Sequence, residues 1–301
     1  MPTAKRPTLA RLDSWLDWEW NSNGKTPCYS HWLFQEEESF DDEVWSELFE
    51  YIDHAHEGAR KTLRAPLENS LHPLDFGTPT DPAYGYPHRF SDTSKQGFLG
   101  EILAGIFAEY YVGSQDKDNQ KNWEVPVYLF RTHVVGFQQL ERMKQTGNWD
   151  RQIVGRTGDD GLAFERDTDN NITAWLACEA KCTQKHSSKS IADNHEKLSE
   201  QINKPVDLLR VIEALKDYDD DQYAQDWIGA LRDLYFGPDV PRHDLSVYIY
   251  GQKPKLEKTW VPVELPHKKY LGKRELTATE FHLVNVGEAI ERLYGQMENS
   301  Q

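Results

Sequence analysis

The sequence predicts a mixed α/β protein in which a central mixed sheet is flanked by helices. Three observations carry this expectation. Segments of helical period alternate with segments of strand character. Residues 160–181 read as a β-hairpin. The predicted helix over 96–112 has no polar face, so it must be buried on both sides. The 301 residues are 38% apolar and include 10 tryptophans, a composition for a packed core and not for a disordered chain. No run approaches the roughly 18 apolar residues that span a bilayer, so no membrane part is expected.

Taken in order, residues 1–40 read as an irregular lead in which Trp15, Trp18, Trp20 and Trp32 are scattered among proline and polar residues. A helix follows over 41–63. Asp41, Asp42 and Glu43 crowd its start, where the macrodipole favours anions, and Val44, Trp45, Leu48, Phe49, Ile52, Ala55 and Ala59 recur at helical spacing. Residues 66–95, rich in Pro, Gly and Asp, are expected as a long loop before the 96–112 helix. Val125–Phe130 reads as a strand, with Pro126 placing it at an edge or a strand start, and Phe137–Met143 as a short helix. In the hairpin, Asp167–Asn171 has the composition of a turn, and Ile172–Lys181 is the returning strand. Residues 190–216 are helical, with Pro205 expected to kink or split them. An acidic stretch over 217–226, a helix around Trp227–Leu234 and a strand over Leu245–Tyr250 come next. Trp260–Val263 and Phe281–Val284 are candidate strands, and a last helix runs from about Val286 to Tyr294. No repeat or clean linker interrupts the chain. The expected organisation is a core over 96–250, an N-terminal extension over 1–95 packed on it, and a C-terminal extension over 251–301 in the same domain.

A net charge of −16 and a pI near 5.1 exclude a protein that coats nucleic acid by bulk charge. They leave room for local binding through a metal ion and a small basic patch, and for a partner that supplies the basic surface. The cysteines are Cys28, Cys178 and Cys182. Three cannot complete a disulfide framework, which points to a reducing compartment. The basic start Met1–Arg6 has no apolar run behind it, so no secretory signal is expected and the location reads as cytoplasmic.

The chemistry concentrates in Glu179-Ala180-Lys181. Side chains alternate along a strand. Ile172, Ala174, Leu176, Cys178 and Ala180 therefore share an apolar face, and Glu179 and Lys181 project together on the other. Charges on such buried ground are costly unless paired or bound to metal. Counting back through the hairpin turn brings Asp160, in Gly158-Asp159-Asp160-Gly161, near both. Two carboxylates and a lysine at one sheet end suit a hard divalent cation. A lysine beside them suits an attacking water and developing negative charge. Glu101 lies among Gly97, Ala104, Gly105 and Ala108 on the small-residue side of its helix. It is expected to stand against the sheet and join the same metal.

Each residue also has a bland reading. Glu179 and Lys181 could form a structural ion pair, Asp160 could be a turn residue, Asp159 could take its place as ligand, and Glu101 could lie on an exposed helix face. After the motif, Lys185, Lys189, Lys197 and Lys204, with His186 and His195, form a local basic stretch. It could contact phosphates or be a solvated helix face, since Asp193, Glu196 and Glu200 are interleaved. Gln201 is a candidate for steadying substrate or Lys181. Zinc on Cys178, Cys182 and His186 is disfavoured, because Cys178 faces the core and no fourth ligand is near in sequence.

The ordered set of the Glu101 helix, a strand, Asp160 before a hairpin, Glu179-Ala180-Lys181, a long helix and a further strand resembles the PD-(D/E)XK nuclease superfamily over roughly 96–250. The resemblance implies a core of one helix, three strands, a helix and a strand, and Mg²⁺-dependent phosphodiester hydrolysis. It further implies Glu101, Asp160, Glu179 and the backbone carbonyl of Ala180 as metal ligands, with Lys181 positioning the water. Proline is absent before Asp160, and 131–157 looks like an insertion. The Gly100-Glu101 pair, Gly158–Gly161, Cys178–Lys181 and the chain length resemble the HamA family, the nuclease subunits of Hachiman anti-phage defence systems. That implies DNA as substrate and a helicase (ATPase) partner. A non-catalytic interaction subunit and a stand-alone restriction-type endonuclease are the competing expectations.

Overall fold

The structure, a computed structural model, describes residues 9–22, 28–37, 42–65, 78, 80–114, 121–132, 134–147, 160–200, 202–218, 220–255 and 258–299. In chain order the elements are α1 (Leu9–Trp15), β1 (Leu16–Ser22), β2 (Tyr29–Glu36), α2 (Asp42–Arg64), α3 (Asp92–Tyr110), β3 (Trp123–Glu124) and a 3₁₀ turn (Leu129–Thr132). There follow α4 (Val134–Thr146), β4 (Gly161–Arg166), β5 (Ile172–Thr183), α5 (Ser188–Leu198), α6 (Leu208–Lys216), α7 (Gln222–Phe236), β6 (Arg242–Tyr250), β7 (Leu276–His282) and α8 (Val286–Asn299).

The strands form one seven-stranded mixed sheet in the order β1-β2-β7-β6-β5-β4-β3. Its centre, β2, β7, β6 and β5, is parallel. Antiparallel β1 closes one side, and β4 with β3 the other. A parallel sheet must be covered on both faces, and two buried clusters do this. One packs α1, α2, α3 and α8 against Phe34, Leu176, Cys178, Ala180 and Val247. The other packs α5, α6 and α7 against Trp175, Ala177, Tyr248 and Ala278. Among the described residues no helix is long and apolar enough to cross a membrane.

Several expectations are corrected. The irregular lead contains two strands. Trp18 and Trp20 share a face of β1, and their rings lie 5.4 and 6.2 Å from that of Trp32 on β2. Because β2 pairs with β7, the segments expected as N- and C-terminal extensions meet inside the same sheet as 96–250. None of Val125–Phe130 is strand: the two-residue β3, Trp123–Glu124, precedes it, and Leu129 and Phe130 belong to the 3₁₀ turn. Trp260–Val263 is not a strand, and the strand expected at Phe281 starts earlier, at Leu276. The helix expected from residue 96 starts at Asp92, where the Ser91 hydroxyl accepts from the Ser94 N–H at 3.2 Å. The 190–216 helix divides into α5 and α6 around Pro205. In the hairpin turn, Asp167 Oδ1 accepts from the N–H groups of Asp169 and Asn171, each at 2.9 Å, and Asn170 takes a positive φ of 65°.

Candidate functional site

The hairpin sets the geometry. After a one-residue register shift between Glu165 and Arg166, β4 and β5 pair in step from Glu165↔Ala174 to Gly161↔Cys178. Asp160 therefore stands one residue before the last pair, and its Oδ2 accepts from the Ala180 N–H at 2.9 Å. Alternation along β5 sends Cys178, Ala180 and Cys182 towards α3, and Trp175 and Ala177 towards α5–α7. Glu179 and Lys181 share the second face. Lys181 Nζ lies 3.6 Å from Asp160 Oδ2 and 3.8 Å from Glu179 Oε2. The three side chains singled out in sequence thus converge. Asp160 and Lys181 are partly open to solvent, while the Glu179 side chain is 3% exposed.

A fourth group completes the cluster. Lys197, in the last turn of α5, forms an ion pair with Glu179 Oε1, the oxygen not facing Lys181. Burial pushes the Glu179 pKa up to about 8. The charge of Asp160 adds to this, and the two ammonium groups oppose it. The carboxylate therefore lies where water cannot stabilise its charge and a cation can.

α5 is held in place from both sides. Asn194 Nδ2 donates to the Glu179 carbonyl at 3.4 Å. At the helix end, Arg242 donates to the carbonyls of Glu200 and Leu198 at 3.0 and 3.1 Å, and Arg274 donates to the same two carbonyls. Both guanidinium groups are fixed by buried Asp244, at 2.8 and 2.7 Å. These arginines were not legible in sequence as part of the site, since they come from two distant strand ends. The helix C-terminus they serve has unpaired carbonyls that favour positive charge.

Glu101 is elsewhere, which corrects the expected three-carboxylate set. Gly100 of α3 meets β5, its Cβ direction 3.4 Å from the Cys182 side chain and 3.5 Å from that of Ala180. Glu101, Gly105 and Glu109 form an adjacent stripe at four-residue spacing that faces the segment after β3. Glu101 Oε1 accepts from the Phe130 N–H at 3.1 Å, and Glu109 Oε1 from the Val125 N–H at 2.9 Å. Between them the Tyr128 ring lies so close that a Cβ on Gly105 would be 2.7 Å from it. Gly105 thus admits Tyr128, while Gly100 admits the sheet. The two glutamates accept backbone N–H groups that a longer β3 would have paired in the sheet. Glu101 therefore sits in the layer across the sheet from Glu179. Among the described residues no three His, Cys, Asp or Glu side chains are grouped to hold a metal ion.

The remaining basic residues divide. Lys185 and Lys189 are exposed at the start of α5, and Lys189 is about 12 Å along the axis from Lys197 at 1.5 Å per residue. Lys204 donates to the carbonyls of Tyr235 and Gly237 at 2.8 Å each, at the end of α7. The His186 ring stacks on Trp260 at 3.9 Å. His195 is buried, its Nδ1 2.9 Å from the Ile191 carbonyl, and burial pulls its pKa down to about 4. These last three serve packing and capping, not a phosphate groove. Gln201 and Asp159 lie outside the described residues.

Asp160 and Glu179 fit a Mg²⁺ or Mn²⁺ ion in a limited way. They offer two hard oxygen donors side by side, one anchored on the backbone of β5. Mg²⁺ commonly binds through one or two carboxylates and keeps several waters. No protein-family model matches the chain, and no curated protein matches it.

Proposed function

We propose that the protein is a metal-dependent nuclease that hydrolyses phosphodiester bonds in DNA, as the effector subunit of an anti-phage defence complex with a helicase partner. The observation that carries this reading is the convergence of Asp160, Glu179 and Lys181 at the mouth of the β4–β5 hairpin. The succession α3, β3–β5, α5–α7 and β6, with β6 parallel to β5, supports it, because it is the order that the PD-(D/E)XK resemblance implies.

In this reading Asp160, Glu179 and the Ala180 carbonyl hold Mg²⁺ or Mn²⁺. When bound, such an ion supplies a lowered pKa for water and Lewis-acid polarisation of a phosphoryl oxygen. Lys181 holds the attacking water and balances the negative charge that builds on the phosphoryl oxygens. The strongly acidic surface, −16 overall, disfavours unassisted binding to duplex. Substrate delivery is accordingly assigned to the partner.

Incubation of the whole chain with plasmid and with single-stranded DNA in Mn²⁺ tests the assignment. Cutting is expected from the parent and not from Lys181→Ala or Glu179→Ala; equal cutting by all three would remove it. A non-catalytic interaction subunit is the second reading. The observation in its favour is Glu101, which leaves the ion one expected ligand short. Such a subunit would be indifferent to Mn²⁺, whereas a nuclease would bind it and lose it on Asp160→Asn.

A further inference from the structure

We infer that the Lys197 ammonium is a resident counter-ion for Glu179, and that it must swing away before the carboxylate pair can take a divalent metal. This rests on the nuclease reading in one respect: it takes Asp160 and Glu179 as the metal's ligands.

Glu179 lies between two amines, Lys181 towards Oε2 and Lys197 against Oε1. Mg²⁺ binds a carboxylate oxygen at 2.0–2.1 Å. An ammonium already in contact with that carboxylate competes for the same lone pairs and repels the incoming charge. One of the two partners has room to move. The Lys197 side chain is 38% exposed, against 3% for Glu179. Beside the ion pair is a cavity of about 20 Å³, walled in part by Trp175, Leu198 and Ile202, room for one water-sized body. The helix backbone beneath Lys197 stays fixed, since Asn194 ties it to β5 and Arg242 and Arg274 grip its end. The movement is therefore confined to one flexible lysine stem. Once displaced, the amine would stay within one lysine stem of the two carboxylates, where a compact positive charge would suit a phosphate.

Mn²⁺ binding to the whole chain, read by electron paramagnetic resonance without DNA, tests this in the parent, Lys197→Met, Lys181→Met and Asp160→Asn. Lys197→Gln serves as a second variant should the methionine change impair folding. Removing Lys197 is expected to tighten Mn²⁺ binding by about tenfold or more. Removal of a unit charge a few ångströms from the ion, even one partly screened by solvent, accounts for a tenfold change. Lys181→Met, an equal change in charge, is expected to give a clearly smaller gain, and Asp160→Asn a loss of about tenfold or more. If the parent binds Mn²⁺ and Asp160→Asn does not, but Lys197→Met binds no tighter, displacement is overturned and the nuclease reading stands. Equal gains for both lysine variants would reduce the effect to net charge and also overturn it. If the parent and the lysine variants bind no Mn²⁺, or if Asp160→Asn binds as the parent does, both readings fall together.

Discussion

Two buried glutamates on one sheet are treated in opposite ways. Glu280, on β7, is wholly buried and surrounded by donors. His31 and His282 approach it at 3.2 and 3.0 Å, and the N–H groups of Trp260 and Val261 donate at 2.8 and 2.6 Å. Burial alone would raise its pKa, but the hydrogen bonds from His282, His31 and Trp260 bring it below the ordinary value. Glu179, two strands away on the same face, has no such cage. Its neighbours are long amines and another carboxylate, and its pKa moves up. A carboxylate that holds structure together is surrounded by fixed dipoles. One kept for an exchangeable cation is surrounded by groups that can leave. On the proposed reading Glu179 is the functional member and Glu280 the structural one.

The contrast can be broken by substitution. The largest expected effect is on activity: Glu179→Ala should lower Mn²⁺-dependent DNA cleavage by at least about 100-fold with little loss of thermal stability. Glu280→Ala should do the reverse to the fold. It strands two buried histidines and two N–H groups, and removing one partner of a buried charged network costs about 3–5 kcal/mol, measurable as a fall in the urea midpoint.

The pH dependence separates the same pair by sign. Glu179 has a raised folded pKa, so the folded state binds more protons than the unfolded state between the ordinary carboxylate value and about 8. Its contribution to stability is present at acid pH and is lost as pH rises through that window. Glu280 has a lowered folded pKa. Its contribution is present above the ordinary value and is lost as pH falls through and below it. Urea unfolding from pH 5 to 9 should accordingly flatten in Glu179→Gln relative to the parent; an unchanged slope would contradict the burial argument.

Smaller effects test the placement of α3. Gly105→Ala drives a methyl into the Tyr128 ring and should cost about 1–3 kcal/mol. Glu101→Gln keeps an acceptor for the Phe130 N–H. It should change stability by under about 1 kcal/mol and leave Mn²⁺ affinity unaltered. A large loss of Mn²⁺ binding there would return Glu101 to the metal.

The site was legible where one period decided everything. Alternation along Ile172–Lys181 and a countable turn were enough to bring Asp160, Glu179 and Lys181 together, and the one-residue register shift between Glu165 and Arg166 did not move Asp160 out of reach. Glu101 was not legible for a physical reason. Helical periodicity says which side chains share a face of α3, but not which neighbour that face meets: the stripe through Gly100 meets the sheet, and the stripe through Glu101 and Gly105 meets the segment that holds Tyr128 and Phe130. β1 and β2 carried a usable signal in the alternation of Leu16, Trp18 and Trp20, masked by the charges between them. The strand expected at Val125–Phe130 failed because its amides bond to Glu101 and Glu109, and that at Trp260–Val263 because the Trp260 and Val261 amides bond to Glu280.

The pairing of β2 with β7 also sets a timetable for synthesis. Ser30 and Thr277 touch across 247 positions of sequence, and contacts so far apart form late and slowly. On the ribosome, the amino-terminal hairpin must wait with the inner edge of β2 unpaired until Leu276–His282 has emerged, a period when a chaperone would find most to hold. A product released early, before His282, would lack the strand that joins its two ends.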